Sequence, residues 1–218
     1  MTLASLLVDA FRFVPDNADL LLHKSAELSK LAFAALGIAM LIALPLGLWL
    51  GHRHRGLFLA LSVSSIGRAL PSIVLIGLFI AWLGVGFWNI TLALVVLAIP
   101  PILTNSYFAV DGVDRDAVEA ARGMGLTEAQ ILTRVELPLG LPLLLAGIRI
   151  AAVFVIATAT IAGIIGGGGL GEIMADRVTY GLAGVLASAL CVSAIALLTA
   201  LLLGVSQHGA SRRMAPRA

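Results

Sequence analysis

The sequence predicts an all-α membrane protein of five transmembrane helices. Three observations carry that expectation. The 218 residues are 60% hydrophobic and only 12% charged, about half the charge of an average soluble domain and too little to cover a soluble globule. The apolar residues gather into five stretches near the length of about 20 residues that a helix needs to cross a bilayer core. The basic residues of the connections fall mostly on one side, as expected for loops that stay in the cytoplasm. Inside lipid every backbone N–H and C=O must be satisfied within its own segment, so the stretches are read as helices.

The first 27 residues hold Asp9, Arg12, Asp16, Asp19, Lys24 and Glu27. Charges so spaced exclude a cleavable secretory signal, which needs a basic start and an unbroken apolar centre. Residues 1–27 are expected as an N-terminal segment with a short helix lying on the outer membrane face. The first span is Leu28–Leu50, interrupted only by Ser29 and Lys30 near its start.

The second span lies within Leu57–Leu83. Ser62, Ser64, Ser65 and Arg68 make its first half polar, and Pro71 follows. Proline lacks an amide hydrogen and restricts the residue before it, so a helix to Leu70 and a steeper span from Pro71 are expected. Trp82 and Trp88 bracket the next loop, at a depth where interfacial aromatics belong. The third span is Ile90–Phe108. Pro100 and Pro101 should bend it, with Thr104 and Asn105 satisfying the carbonyls that the prolines free. The fourth is Leu141–Ile165 and the fifth Leu182–Val205.

One side receives Arg53, Arg55, Arg115, Arg122, Arg134, Arg212, Arg213 and Arg217; the other receives Arg12, Lys24, Lys30 and Arg177. The bias places the N-terminus outside and the C-terminus, with its basic tail 208–218, in the cytoplasm. His52 and His54 sit beside arginines at a cytoplasmic boundary, where headgroup-facing roles are expected. The 107–140 connection is then the long cytoplasmic one.

That connection holds EAARGMGLTEAQILTRVELP, Glu119 to Pro138. Asp116 and Glu119 are spaced as an N-cap acid and an N3 acid. Gly123 and Gly125 should stop or turn the helix. Thr127 and Gln130 have the spacing of a capping box for a second short helix through Ile131, Leu132 and Val135, closed by Pro138. Two short helices at a glycine elbow are therefore expected, and a connection of this length with its own helices suggests a docking element.

The spacing EAA, three residues, Gly125, nine residues, Val135-Glu136-Leu137-Pro138 resembles the EAA signature of permease subunits of binding-protein-dependent ABC importers. Valine at 135 replaces the usual isoleucine. The resemblance implies a type I ABC importer permease domain over 28–207, with a coupling helix that docks on a separate cytoplasmic ATPase. Glu119, Ala120, Ala121, Gly125, Leu137 and Pro138 are the positions it carries over. It also implies a substrate-binding protein outside, a second permease copy or a paralogue, and a home in the bacterial inner membrane. LPLLLAGIRIAAVFVIATATIAGIIGGGGLGE (141–172), RALPSIVLIGL (68–78) and ALPLGLWLG (43–51) resemble the permeases for glycine betaine, choline and carnitine. Methionine-importer permeases share much of the pattern; the AGIR-x-A run, Ala146 to Ala151, favours the osmoprotectant group.

GGGGLG, Gly166 to Gly171, formally contains a dinucleotide fingerprint but follows an apolar helix, whereas the fingerprint follows a strand. A helix end with a flexible turn at the outer face is expected; the resemblance adds an external gate or a docking point around Gly168 and Gly169. Arg68 and Arg149 are ionisable groups in or beside spans, so they join Pro71 as candidates for a gate or pathway role, with membrane anchoring as the alternative. Cys191 stands alone in an apolar run and is expected as a small buried residue. No nucleophile with its base, carboxylate pair, metal spacing or phosphate loop occurs, so no enzyme activity, cofactor or nucleic-acid partner is expected. A stand-alone secondary transporter should carry intramembrane acids, and no Asp or Glu falls within the five spans.

Overall fold

The computed structural model describes residues 3–69 and 71–214, and among these the chain is helical almost throughout. In order come α1 (Leu3–Asp16), α2 (Ala18–His52), α3 (Leu57–Ala69), α4 (Ser72–Leu83), α5 (Phe87–Asp111), α6 (Arg115–Gly123), α7 (Glu128–Ile131), α8 (Leu137–Ala162), α9 (Leu170–Ala175) and α10 (Arg177–Met214). Wide π-helical turns fill Leu132–Glu136 and Gly163–Gly167.

Among the described residues, four helical stretches are long and apolar enough to cross a membrane: Ala18–His52, Phe87–Asp111, Glu128–Gly167 and Arg177–Ser211. They correspond to the expected first, third, fourth and fifth spans. The second stretch is two shorter helices, broken at Pro71, which caps α4 with φ −62° and ψ 122°. With 12 residues α4 rises only about 18 Å, short of a full bilayer core. The first span is longer than expected: Asp19, Lys24 and Glu27 belong to α2 itself, which starts at Ala18. The regular part of α10 begins after Gly181, whose φ of 62° breaks the helix.

Pro100 and Pro101 lie inside one continuous α5. Their missing amides free the carbonyls of Val96 and Leu97, four residues back. The expected partners go elsewhere: Asn105 Nδ2 donates to the Pro101 carbonyl at 2.7 Å, and Thr104 Oγ1 donates to the Ala60 carbonyl at 3.4 Å.

The contacts divide the chain into two compact units. One comprises Met1–Gly37, Leu70–Leu97 and Ala152–Thr199; the other comprises Ile38–Ala69, Ala98–Ala151 and Ala200–Ala218. In the first, Leu28, Leu94, Ile156 and Leu170 are fully buried. Trp82 and Trp88 are largely exposed there, at the end of α4 and the start of α5. In the second, Ala109, Leu144 and Ile148 form a core against Leu44, Leu48 and Leu137. Backbones touch in this unit because glycines remove the side chains between them. A Cβ on Gly51 of α2 would stand 2.5 Å from the Tyr107 carbonyl oxygen of α5, and one on Gly140 of α8 would overlap the Ala109 carbonyl.

Candidate functional site

The polar segment between α5 and α8 folds as two short helices about a glycine elbow. Its first helix, α6, is capped by Asp114, whose Oδ1 accepts from the Asp116 N–H at 3.0 Å. The expected cap at Asp116 is thus two residues late; Asp116 sits in the first turn, where its charge still favours the helix N-terminus.

Only one of the two glycines makes the turn. Gly123 remains in α6, while Gly125 has φ +83°, a left-handed conformation that costs other residues about 1–2 kcal/mol. The Gly125 N–H donates to the Arg122 carbonyl and the Leu126 N–H donates to the Ala121 carbonyl. This is the paired bonding of a Schellman end, in which the left-handed residue turns the chain back over the last helical carbonyls. Leu126 then packs with Val113 and Val135 against buried Val118, Ala121 and Ile131. A small apolar core of its own holds the elbow.

Beyond the elbow, Gln130 Oε1 accepts from the Thr127 N–H at 2.9 Å, the back-bond of the expected capping box. Pro138 does not close the second helix. The chain passes from α7 through the π turn Leu132–Glu136 directly into α8, whose second residue is Pro138. A proline ring clashes with the carbonyl four residues back, and a widened turn relieves that clash.

The six expected docking positions do not share one environment. Glu119, Ala120 and Gly125 are exposed, as is Met124 at 74%. Ala121 is buried in the segment's own core, and Leu137 and Pro138 are half-buried. The exposed face is therefore that of Glu119, Ala120, Met124 and Gly125.

Side chains brace the elbow across its bend. Arg122 donates from Nε to Glu128 Oε1 at 3.1 Å and from Nη2 to Glu128 Oε2 at 3.2 Å. That bond with Glu128 raises the pKa of the guanidinium further above its usual value. His52, the last residue of α2, reaches the same segment. Its Nδ1 lies 2.6 Å from Glu136 Oε2, and its Nε2 lies 3.4 Å from Glu128 Oε2. The His52 side chain is 12% exposed and that of Glu136 1%. His54 Nδ1 meets Asp111 Oδ1 at 2.8 Å. His52 thus differs from the headgroup-facing role expected of it, being largely buried against an acid, whereas His54 stays exposed beside its own acid partner. A cleft of about 540 Å³ beside the elbow is lined by Trp49, Arg53, Arg122 and Leu132, with the Arg53 guanidinium 5.7 Å over the Trp49 ring.

The glycine run forms a second polar cluster, in the other unit. The π turn Gly163–Gly167 leads into Gly168 and Gly169, with φ +83° and +77°. Helix precedes and follows the run, so the strand of a nucleotide fingerprint is replaced by α8. Glu27 Oε2 accepts from the Gly169 N–H at 2.9 Å and from Lys24 Nζ at 2.9 Å. Lys24 Nζ also donates to Glu172 Oε2 at 2.6 Å. This network ties the early part of α2 to the glycine turn and α9, beside a cavity of about 350 Å³ lined by Lys30, Phe87 and Gly166–Gly168.

Arg149 lies against Gly204 of α10, its Nη1 3.3 Å from where a Cβ on that glycine would stand. The Arg68 side chain lies outside the described residues. Cys191 is partly exposed in α10, more open than its expected core position.

A family model described as binding-protein-dependent transport system inner membrane component matches residues 43–217. The choline transport system permease protein OpuBB of Bacillus subtilis (strain 168) is 37% identical over 161 residues, covering 74% of this chain and 74% of that protein. The carnitine transport permease protein OpuCB of Listeria monocytogenes is 33% identical over 207 residues, 94% of this chain and 93% of that protein. Among solved structures, an inward-facing conformation of the MetNI methionine ABC transporter superposes with a TM-score of 0.77 at 23% identity. It covers 88% of this chain and 96% of that one. A likeness at that identity concerns the fold alone.

Proposed function

This chain belongs to the family of binding-protein-dependent transport system inner membrane components, and we propose that it forms the translocation path for a small osmoprotectant in an ATP-driven importer. Choline and carnitine are the solutes in the names of the relatives described above, so a solute of that class, glycine betaine included, is assigned here. The likeness to a methionine transporter extends to fold at 23% identity, which leaves the osmoprotectant reading the better supported.

The observation that carries the mechanism is the elbow segment. It has its own core and a Schellman end, and its exposed face of Glu119, Ala120, Met124 and Gly125 has no cover among the described residues. We assign this face to a cytoplasmic ATPase and the segment to the coupling helix of the EAA pattern. Leu137 and Pro138 act from behind, where the segment joins α8. Five passes are assigned to the chain, with α3 and α4 together making the second, the N-terminus outside and the C-terminus in the cytoplasm. The permease domain is assigned to 28–207. Two permease chains, identical or paralogous, enclose the path between them, and an external binding protein supplies the solute. The glycine turn at Gly168 and Gly169, Pro71, Arg68 and Arg149 are assigned to the gate and pathway.

The test is purification of the tagged chain from its own cells, followed by uptake assays with choline, glycine betaine, carnitine and methionine. An untagged ATPase should come down with it, and uptake should favour the first three solutes. Purification without an ATPase contradicts the reading, and uptake of methionine alone contradicts the assigned solute.

A further inference from the structure

We propose that His52 is the positioning residue that carries movement of the elbow segment into α2. The inference rests on the coupling role assigned to that segment and adds the residue through which it acts.

Glu136 has almost no contact with solvent, and among the described residues His52 is the side chain that bonds it. A carboxylate there accepts from an imidazole N–H, and a carboxyl there donates to the bare ring nitrogen. In either state separation leaves a buried polar group without a partner, which is costly. The apolar contacts of Leu44 and Leu48 with the α8 core are non-directional and tolerate sliding. The 2.6 Å bond does not.

The placement suits transmission. His52 ends α2, and Glu136 ends the π turn that joins the elbow to α8. A turn with irregular bonding inside a long helix is a natural place for it to flex. His52 also faces Glu128, which Arg122 holds from across the elbow. Arg122, Glu128, His52 and Glu136 thus form a continuous polar line from α6 to α2. A push on α6 reaches the end of α2 along it.

The test uses the complete transporter, with its ATPase and binding protein, in vesicles. The readout is solute taken up per ATP hydrolysed, measured with whichever osmoprotectant the wild type transports best. His52→Leu should lower that ratio about tenfold, a coupling loss of ordinary size, while the ATPase stays bound and active. His52→Asn, whose amide nitrogen takes the place of the ring Nδ1 that meets Glu136, should recover most of it. His52→Leu with Glu136→Leu leaves no orphaned acid, so this double variant should assemble fully yet stay uncoupled.

An unchanged ratio in His52→Leu overturns the proposal. So does recovery of the ratio in the double variant, or a parallel fall of hydrolysis and uptake that His52→Asn does not rescue. Failure of every variant to assemble marks the pair as structural support and overturns it too. A wild-type complex that holds no ATPase sinks the coupling role itself, a different outcome from any of these.

Discussion

The guanidinium of Arg122 and the carboxylate of Glu128 meet in a two-point fork, at 3.1 and 3.2 Å, across the left-handed Gly125. The fork spans the elbow but is exposed on both sides, at 55% and 60%. Exposed pairs contribute little to stability because water and salt screen them. Arg122→Ala should therefore leave thermal unfolding of the detergent-solubilised protein nearly unchanged. A large loss of melting temperature would show that the fork, and not the small core of Val118, Ala121 and Ile131, holds the elbow.

Gly125 is the position where the backbone itself sets the requirement. A Cβ there meets nothing within 4 Å, yet φ is +83°, so any penalty comes from backbone strain. Gly125→Asn should be tolerated best, since asparagine enters the left-handed region at lower cost. Gly125→Ala should be worse, and Gly125→Trp should insert into the membrane but uncouple ATP hydrolysis from uptake. Uptake by Gly125→Trp at the wild-type rate would contradict the elbow's role.

Lys24 sits between two acids, Glu27 and Glu172, at 2.9 and 2.6 Å. Lys24→Met leaves the two carboxylates without the charge between them, whereas Glu172→Gln keeps an acceptor for the lysine. The first should lower the unfolding temperature more than the second, and Glu27→Gln should weaken the hold on the Gly169 N–H. Equal shifts for all three would mean that the network contributes nothing beyond its individual contacts.

Orientation is open to chemical labelling. With Cys191→Ala as background, Ser211→Cys places a thiol on an exposed position near the end of α10. An impermeant maleimide added to intact cells should fail to label it, and should label it once the membrane is opened. Labelling from outside would reverse the assigned topology.

Features that depend on one residue's covalent geometry were legible in the sequence. Pro71 breaks the second stretch because it lacks an amide hydrogen. Gly125 turns the elbow because few other residues adopt its conformation. The capping box at Thr127 and Gln130 is local too. Pairings between distant residues left no such mark. His52 and Glu136 are 84 positions apart, and nothing in either neighbourhood signals the other. The early start of α2 was hidden for the same reason: Lys24 and Glu27 look unfit for a long apolar helix until Glu172 and the Gly169 N–H are placed beside them. Pro138 misled because a proline within a helical pattern ordinarily ends it, and the sequence does not announce a π turn that absorbs it.

The most direct test of the account is uptake by sealed vesicles carrying this permease with and without its ATPase. Vesicles with the ATPase, internal ATP at the cytoplasmic face and the loaded binding protein outside should accumulate choline or a related osmoprotectant. Vesicles without the ATPase should accumulate none. Concentrative uptake by the permease chain alone would contradict the account.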